Sequence, residues 1–265
     1  MEQSQQLDMI RHNPRSIVSI PNPTDEMKLI AVQKNGLLLE YIDNPTVEMQ
    51  EAALSSNVRA IKFIPEPTED MMLQAVRGGW TNLEFIKHPT EQVIRLAISQ
   101  AGWAIKYIAD PSEELQLLAV RKNYDAIKFI KGPSANVQIE AVKGSYEALR
   151  FISTPVHEAE LAAIREHEGA INFINNLEKN KILEFLKINF RVIKYVLNQV
   201  TREELEAVLK DTLSDENVDD AYVRAFLNYS TLNNSAINEI DKLMFIDRYG
   251  SKKARKITVD EKLKL

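Results

Sequence analysis

The side chains of this sequence best suited to chemistry are four histidines, the acids beside two of them, and three recurring acid pairs. His157-Glu158 and Glu166-His167-Glu168 combine imidazoles with carboxylates, the donor set of a zinc-type cation site. On one helix those histidines, about ten residues apart, would stand roughly 15 Å from each other. That is too far to share an ion, so no metal is expected. His88 precedes Pro89 where other copies of the same turn carry Asn22, Asn44, Glu66 or Asp110, so it reads as a turn residue. Asp25/Glu26, Glu69/Asp70 and Glu113/Glu114 have the composition of general acid–base pairs. Their recurrence at helix starts is explained instead by the positive end of the helix dipole.

Other chemistry is missing at the level of motif. There is no H-E-x-x-H, G-x-S-x-G, P-loop or G-x-G-x-x-G, and the chain holds eight glycines in 265 residues. It has no cysteine, which removes disulfides, thiol nucleophiles and Cys-ligated metal and fits a reducing compartment. No catalytic residue and no cofactor are expected, and the chain does not read as an enzyme. Neither a signal peptide nor an apolar run of membrane-spanning length is visible, so a cytoplasmic location is expected.

The elements that would position any functional side chain are set by an internal repeat of 22 residues. Proline recurs at 23, 45, 67, 89, 111, 133 and 155. Tyr41-Ile42, Phe63-Ile64, Phe85-Ile86, Tyr107-Ile108, Phe129-Ile130, Phe151-Ile152, Phe173-Ile174 and Tyr195-Val196 keep the same step. Ala31, Ala53, Ala75, Ala97, Ala119, Ala141 and Ala163 do so too, and the step returns at Ala207. With a degenerate first copy at Asn13-Pro14, the array runs from 13 to 212, after a lead-in of 1–12.

One unit reads as two helices. Thr24, Thr46, Thr68, Thr90, Ser112 and Ser134 each follow a proline and are placed to N-cap a first helix of about ten residues. Met49, Ala53 and Leu54 give it one apolar stripe, with alanine marking close approach of a neighbour. Asn35, Asn57, Gly79, Asn123 and Asn189 are residue types expected to take the left-handed conformation that ends a helix. A second helix of about seven residues follows, as in Ala126-Ile127-Lys128-Phe129-Ile130, although a strand is an alternative reading of so short an apolar run. The aromatic of that run is expected in the core, so that Phe129→Ala would cost about 3–5 kcal/mol. Neither helix is stable alone at this length, so successive pairs must stack. The expected fold is all-α, an α-solenoid of eight to nine two-helix repeats, roughly 70–90 Å long from helix layers spaced 8–10 Å.

The pattern N-P-[T/S]-x-E-x-x-x-x-A-V followed by A-I-K-[F/Y]-I, over about three quarters of the chain, resembles short tandem helical repeats of a domain-of-unknown-function family found in bacteriophage proteins and bacterial effectors. The resemblance implies architecture and an interaction role and transfers no catalytic residue.

Beyond the array, Val218 to Tyr229 and Ser235 to Tyr249 read as two helices, the second capped by Ser235. Residues 213–250 would cap the solenoid, with Phe226, Met244, Phe245 and Ile246 as core, or alternatively form a dimerisation element. Residues 251–265 carry six Lys+Arg against two acids and read as a mobile basic tail.

A partner surface is expected where units depart from their shared pattern. Trp80, Tyr124 and Tyr146 occupy the position after the inter-helix turn that holds Gly36, Val58, Gly102 or Glu168 elsewhere, and Trp103 lies one residue further on. Beside them Arg77, Arg121, Lys122 and Lys143 end the first helices, where the dipole also favours cations. Aromatics held on a rigid scaffold suit interface anchoring, and these eight residues are the expected contact set. The expected function is a non-enzymatic protein-binding scaffold. With the phage-like resemblance, it becomes a phage-encoded modulator or inhibitor of a bacterial host or defence protein, acting in the host cytoplasm. The alternatives are a nucleic-acid or nucleotide-binding repeat protein using the same basic and aromatic edge, and a structural adaptor in a larger assembly.

Overall fold

A computed structural model describes residues 3–229 and 240–263. The chain is an all-α helical repeat protein with no strand among the described residues. It divides into two compact units, Met1–Pro133 and Ser134–Leu265.

In the first unit α1 (Gln3–His12), α2 (Asp25–Lys34), α3 (Val47–Ser56), α4 (Glu69–Arg77), α5 (Glu91–Gln100) and α6 (Glu113–Lys122) pack each on the next. A six-residue helix follows each, at Pro14–Ser19, Gly36–Tyr41, Val58–Phe63, Trp80–Phe85, Gly102–Tyr107 and Tyr124–Phe129. Unit two continues the pattern with α7 (Ala135–Gly144), α8 (His157–Glu166) and α9 (Lys179–Ile188), then closes with α10 (Ile193–Val196), α11 (Arg202–Ser214), α12 (Asp220–Asn228), α13 (Lys242–Tyr249) and α14 (Lys252–Lys262).

The helix starts follow the sequence. Thr24, Thr46, Thr68, Thr90, Ser112 and Ser134 each accept a backbone N–H three residues on with the side-chain oxygen. Every repeat alanine from Ala31 to Ala163 is fully buried, with Met49 and Leu54 on the same stripe.

The second helix is of the 3-10 type, and this corrects where the aromatics go. A 3-10 helix carries three residues per turn, so its side chains fall on three ridges. In Val58–Phe63 the inward ridge is Ile61, continued by Ile64; Ala60 and Phe63 form a flanking ridge, and Arg59 and Lys62 point outward. Ala60 and Ile61 are fully buried, but the flanking aromatic ends half in solvent. Phe129 is 39% exposed and Tyr41 48%, against 2% for Ile127. The aromatics expected in the core instead line the surface.

The turn residues also differ from expectation. Asn35, Asn57, Asn123 and Asn189 are extended, with φ between −154° and −141°, and Gly79 is extended as well. Asn35, Asn57 and Asn189 cap the 3-10 helix by accepting the N–H two residues on. Left-handed backbone lies at the other end of the repeat, at Asn22, Asn44, Gly132 and Asn176, with φ near 50–57°. These four share one register; Glu66, His88 and Asp110 fill it elsewhere without positive φ.

At the C-terminal end Phe226, Phe245 and Ile246 are buried as expected, whereas Met244 is 70% exposed and is not core. Ser235 lies outside the described residues; α13 is capped by Asp241, whose carboxylate accepts from Leu243 and Met244 N–H. The basic segment is not a free tail. Ser251 caps α14, Ala254 and Ile257 are buried, and Glu261 pairs with Arg224 and accepts from Asn228 Nδ2 at 2.8 Å. An apolar pair one turn apart and a charged partner on α12 give this end a docked face.

Candidate functional site

In each unit the outer ridge of the 3-10 layer is where side chains vary from repeat to repeat, and this layer is the candidate surface. Successive 3-10 helices of unit one, from Gly36–Tyr41 to Tyr124–Phe129, lie against one another, so the same position forms a column across repeats.

A cation precedes many of the half-exposed rings and folds back over them. Lys62 Nζ stands 4.4 Å from the centroid of Phe63. Lys106 Nζ stands 4.6 Å from Tyr107 and 5.5 Å from Trp80 of the preceding repeat. Lys128 Nζ lies 5.1 Å from Phe129 and 6.0 Å from Trp103, so two lysines each bridge rings of neighbouring repeats. Trp80 and Tyr107 meet at 6.1 Å between centroids. The Trp103 indole N–H donates to Asp125 Oδ1 at 2.7 Å, and Lys128 Nζ meets Asp125 Oδ2 at 2.8 Å. Burial would push the Asp125 carboxyl up, but the bonds from Lys128 and Trp103 outweigh it and hold the group below the usual range. It is a fixed anion within the Trp103–Lys128 cluster.

The expected contact residues do not all behave alike. Trp103 is exposed, while Trp80 and Tyr124 are half-buried and Trp80 leans on the next repeat. Arg77, Arg121 and Lys122 are exposed at the ends of α4 and α6. In unit two Lys143 is exposed at the end of α7, and Tyr146 stacks on His167 at 4.5 Å and lies 6.0 Å from Phe173. Lys194 sits 4.8 Å from Tyr195, the unit-two counterpart of these pairs, while Arg150 lies 5.5 Å from Phe173 of the following repeat. The contribution of the repeat aromatics to this surface was missed by sequence reasoning. Its signal was the polar residue immediately before each ring, since Lys62, Lys106, Lys128, Arg150 and Lys194 cannot sit in a core.

The histidines of the acid-flanked cluster are drawn into separate contacts. His157 lies between Glu160 and Glu184, with Nε2 2.8 Å from Glu184 Oε2, while His167 Nδ1 accepts from Gly169 N–H. No group of three or more His, Asp or Glu side chains among the described residues could hold a metal ion. A cleft of about 290 Å³ in unit two is lined by Arg165, His167, Arg191, Asp219 and Tyr222, a set of mixed charge. No helix among the described residues is long and apolar enough to cross a membrane.

The fold defines a class, the α-helical repeat solenoids. No protein-family model matches the chain, and no match to it was found among curated proteins or solved structures.

Proposed function

We propose that the chain is a non-enzymatic scaffold that binds another protein through its 3-10 layer. The observation that carries this reading is the recurrence of a part-exposed ring with a cation held 4.4–5.5 Å from it, at Phe63, Tyr107, Phe129, Phe173 and Tyr195. Stacking is carried chiefly by the buried alanines and isoleucines, and the rings and cations outside keep part of their surface in solvent, where a partner can reach it. The resemblance of the repeat to helical arrays of phage proteins supports a bacterial host or defence protein as the partner. Single-stranded nucleic acid is the weaker reading, because a base needs an open ring face and these faces carry their own cations.

The test compares capture by wild type with capture by a Trp103→Ala/Phe129→Ala/Phe173→Ala variant that still unfolds cooperatively well above the assay temperature. Loss of one stoichiometric protein, with little dependence on salt, supports the reading. Capture of nucleic acid that collapses as salt rises would replace it with the alternative.

A further inference from the structure

We propose that part of this surface, in unit one, pairs with a second copy of the same chain through a two-fold, self-complementary contact; this rests on the 3-10 layer being a protein-binding face. Charges alternate in sign down the outward ridge. The fifth residue of four successive 3-10 helices is Glu40, Lys62, Glu84 and Lys106. All four are exposed, and none takes part in an ion pair among the described residues. Glu84 accepts only a long bond from Tyr107 Oη, at 3.4 Å, and the two lysines rest on rings.

A column of alternating sign with an even number of members is its own complement when reversed. Turned about a two-fold axis between Lys62 and Glu84, Glu40 of one copy faces Lys106 of the other and Lys62 faces Glu84, so each contact is made twice. Neighbouring columns obey the same operation. The last residues of these helices, Tyr41, Phe63, Phe85 and Tyr107, bring Tyr41 opposite Tyr107 and Phe63 opposite Phe85. The second residues, Leu37, Arg59, Thr81 and Trp103, bring Leu37 opposite Trp103 and Arg59 opposite Thr81, with no like charges facing. Because both copies have the same repeat spacing, the register holds along the whole patch. A partner of different pitch could satisfy one pair but not four. The Trp103–Asp125–Lys128 cluster ends the patch, since Asp125 already holds Lys128 there.

Sedimentation velocity of the 265-residue chain over a concentration series at low and moderate salt tests this. Wild type should sediment as a dimer that weakens with salt. Lys62→Glu and Glu84→Lys should each raise the dimer dissociation constant about tenfold or more, because like charges then face each other twice. The double variant Lys62→Glu/Glu84→Lys should restore it. An equimolar mixture of the two single variants should form a heterodimer although each alone is monomeric. A monomeric wild type, or a mixture that stays monomeric, overturns the pairing. If the column variants leave mass unchanged but abolish capture of another protein, the binding face stands and self-association falls. If mass does not respond to the column variants, self-association falls, and the binding face falls with it only if capture also survives the Trp103→Ala/Phe129→Ala/Phe173→Ala variant.

Discussion

The carboxylate of Glu160, 5% exposed, receives Lys181 Nζ at 2.6 Å from the next helix, so a buried charge on α8 is neutralised only by its neighbour α9 and a longer contact from His157. Removing one member of such a pair leaves the other charged in a poor solvent for charge. Lys181→Met should therefore destabilise the chain by about 3 kcal/mol in urea unfolding. A loss below about 1 kcal/mol would show that the remaining contacts satisfy the carboxylate without the lysine.

Gly102 lies so close to α6 that a Cβ there would stand 2.2 Å from the Ala119 carbonyl oxygen, while a Cβ at Gly79 meets nothing closer than 3.8 Å. Gly102→Ala should force neighbouring repeats apart and cost about 1–3 kcal/mol. Gly79→Ala should stay within about 0.5 kcal/mol of wild type. Comparable melting temperatures for the two variants would contradict the close approach.

The exposed position of Phe129 reverses the order expected from its apolar run. Ile127→Ala should cost about 2–5 kcal/mol, the range for a filled core site. Phe129→Ala should cost about 1 kcal/mol, because the ring keeps more than a third of its surface in water. Thermal unfolding of both variants, side by side, decides which residue the stack depends on.

Burial pushes the Glu168 carboxyl up, yet the bond from Lys194 at 2.6 Å, with local backbone bonding, brings it below the usual glutamate value. A folded-state value under the unfolded one stabilises the protein above about pH 4 and loses that contribution as pH falls through the depressed value. Lys194→Met should make the acid limb of the stability profile shallower between about pH 5 and 3, measured by urea titration at stepped pH. An unchanged limb would mean that other carboxylates dominate it.

The fold was legible because its determinants are local and periodic. Thr24 and its counterparts announce helix starts, and Ala53 with Met49 and Leu54 announces the buried stripe. The type of the second helix was not legible. Ala60, Ile61, Phe63 and Ile64 fit an apolar face in several helical geometries, and only a three-residue turn places Phe63 at the edge. Asn35 and Asn57 were assigned the wrong role for a related reason. Asparagine serves both left-handed turns and side-chain caps, and nothing local to the sequence separates the two uses. For the candidate surface, Trp103 was visible as a departure from its repeat, but the Asp125 and Lys128 that fix its indole come from the next repeat. The helix Lys252–Lys262 was hidden by its charge, because its buried face is only Ala254 and Ile257.

Six-residue helices that bury mainly their third and fourth side chains separate two kinds of inheritance. Changes at Ala60 or Ile61 alter whether the chain folds, whereas changes at Arg59 or Lys62 alter only what it presents. In-frame duplication or deletion of one repeat would lengthen or shorten the presented column by a single rung while leaving each joint as it was. The outer face of such a chain can therefore change without cost to the stack, and the mark of its repeated origin would persist longest in its buried alanines.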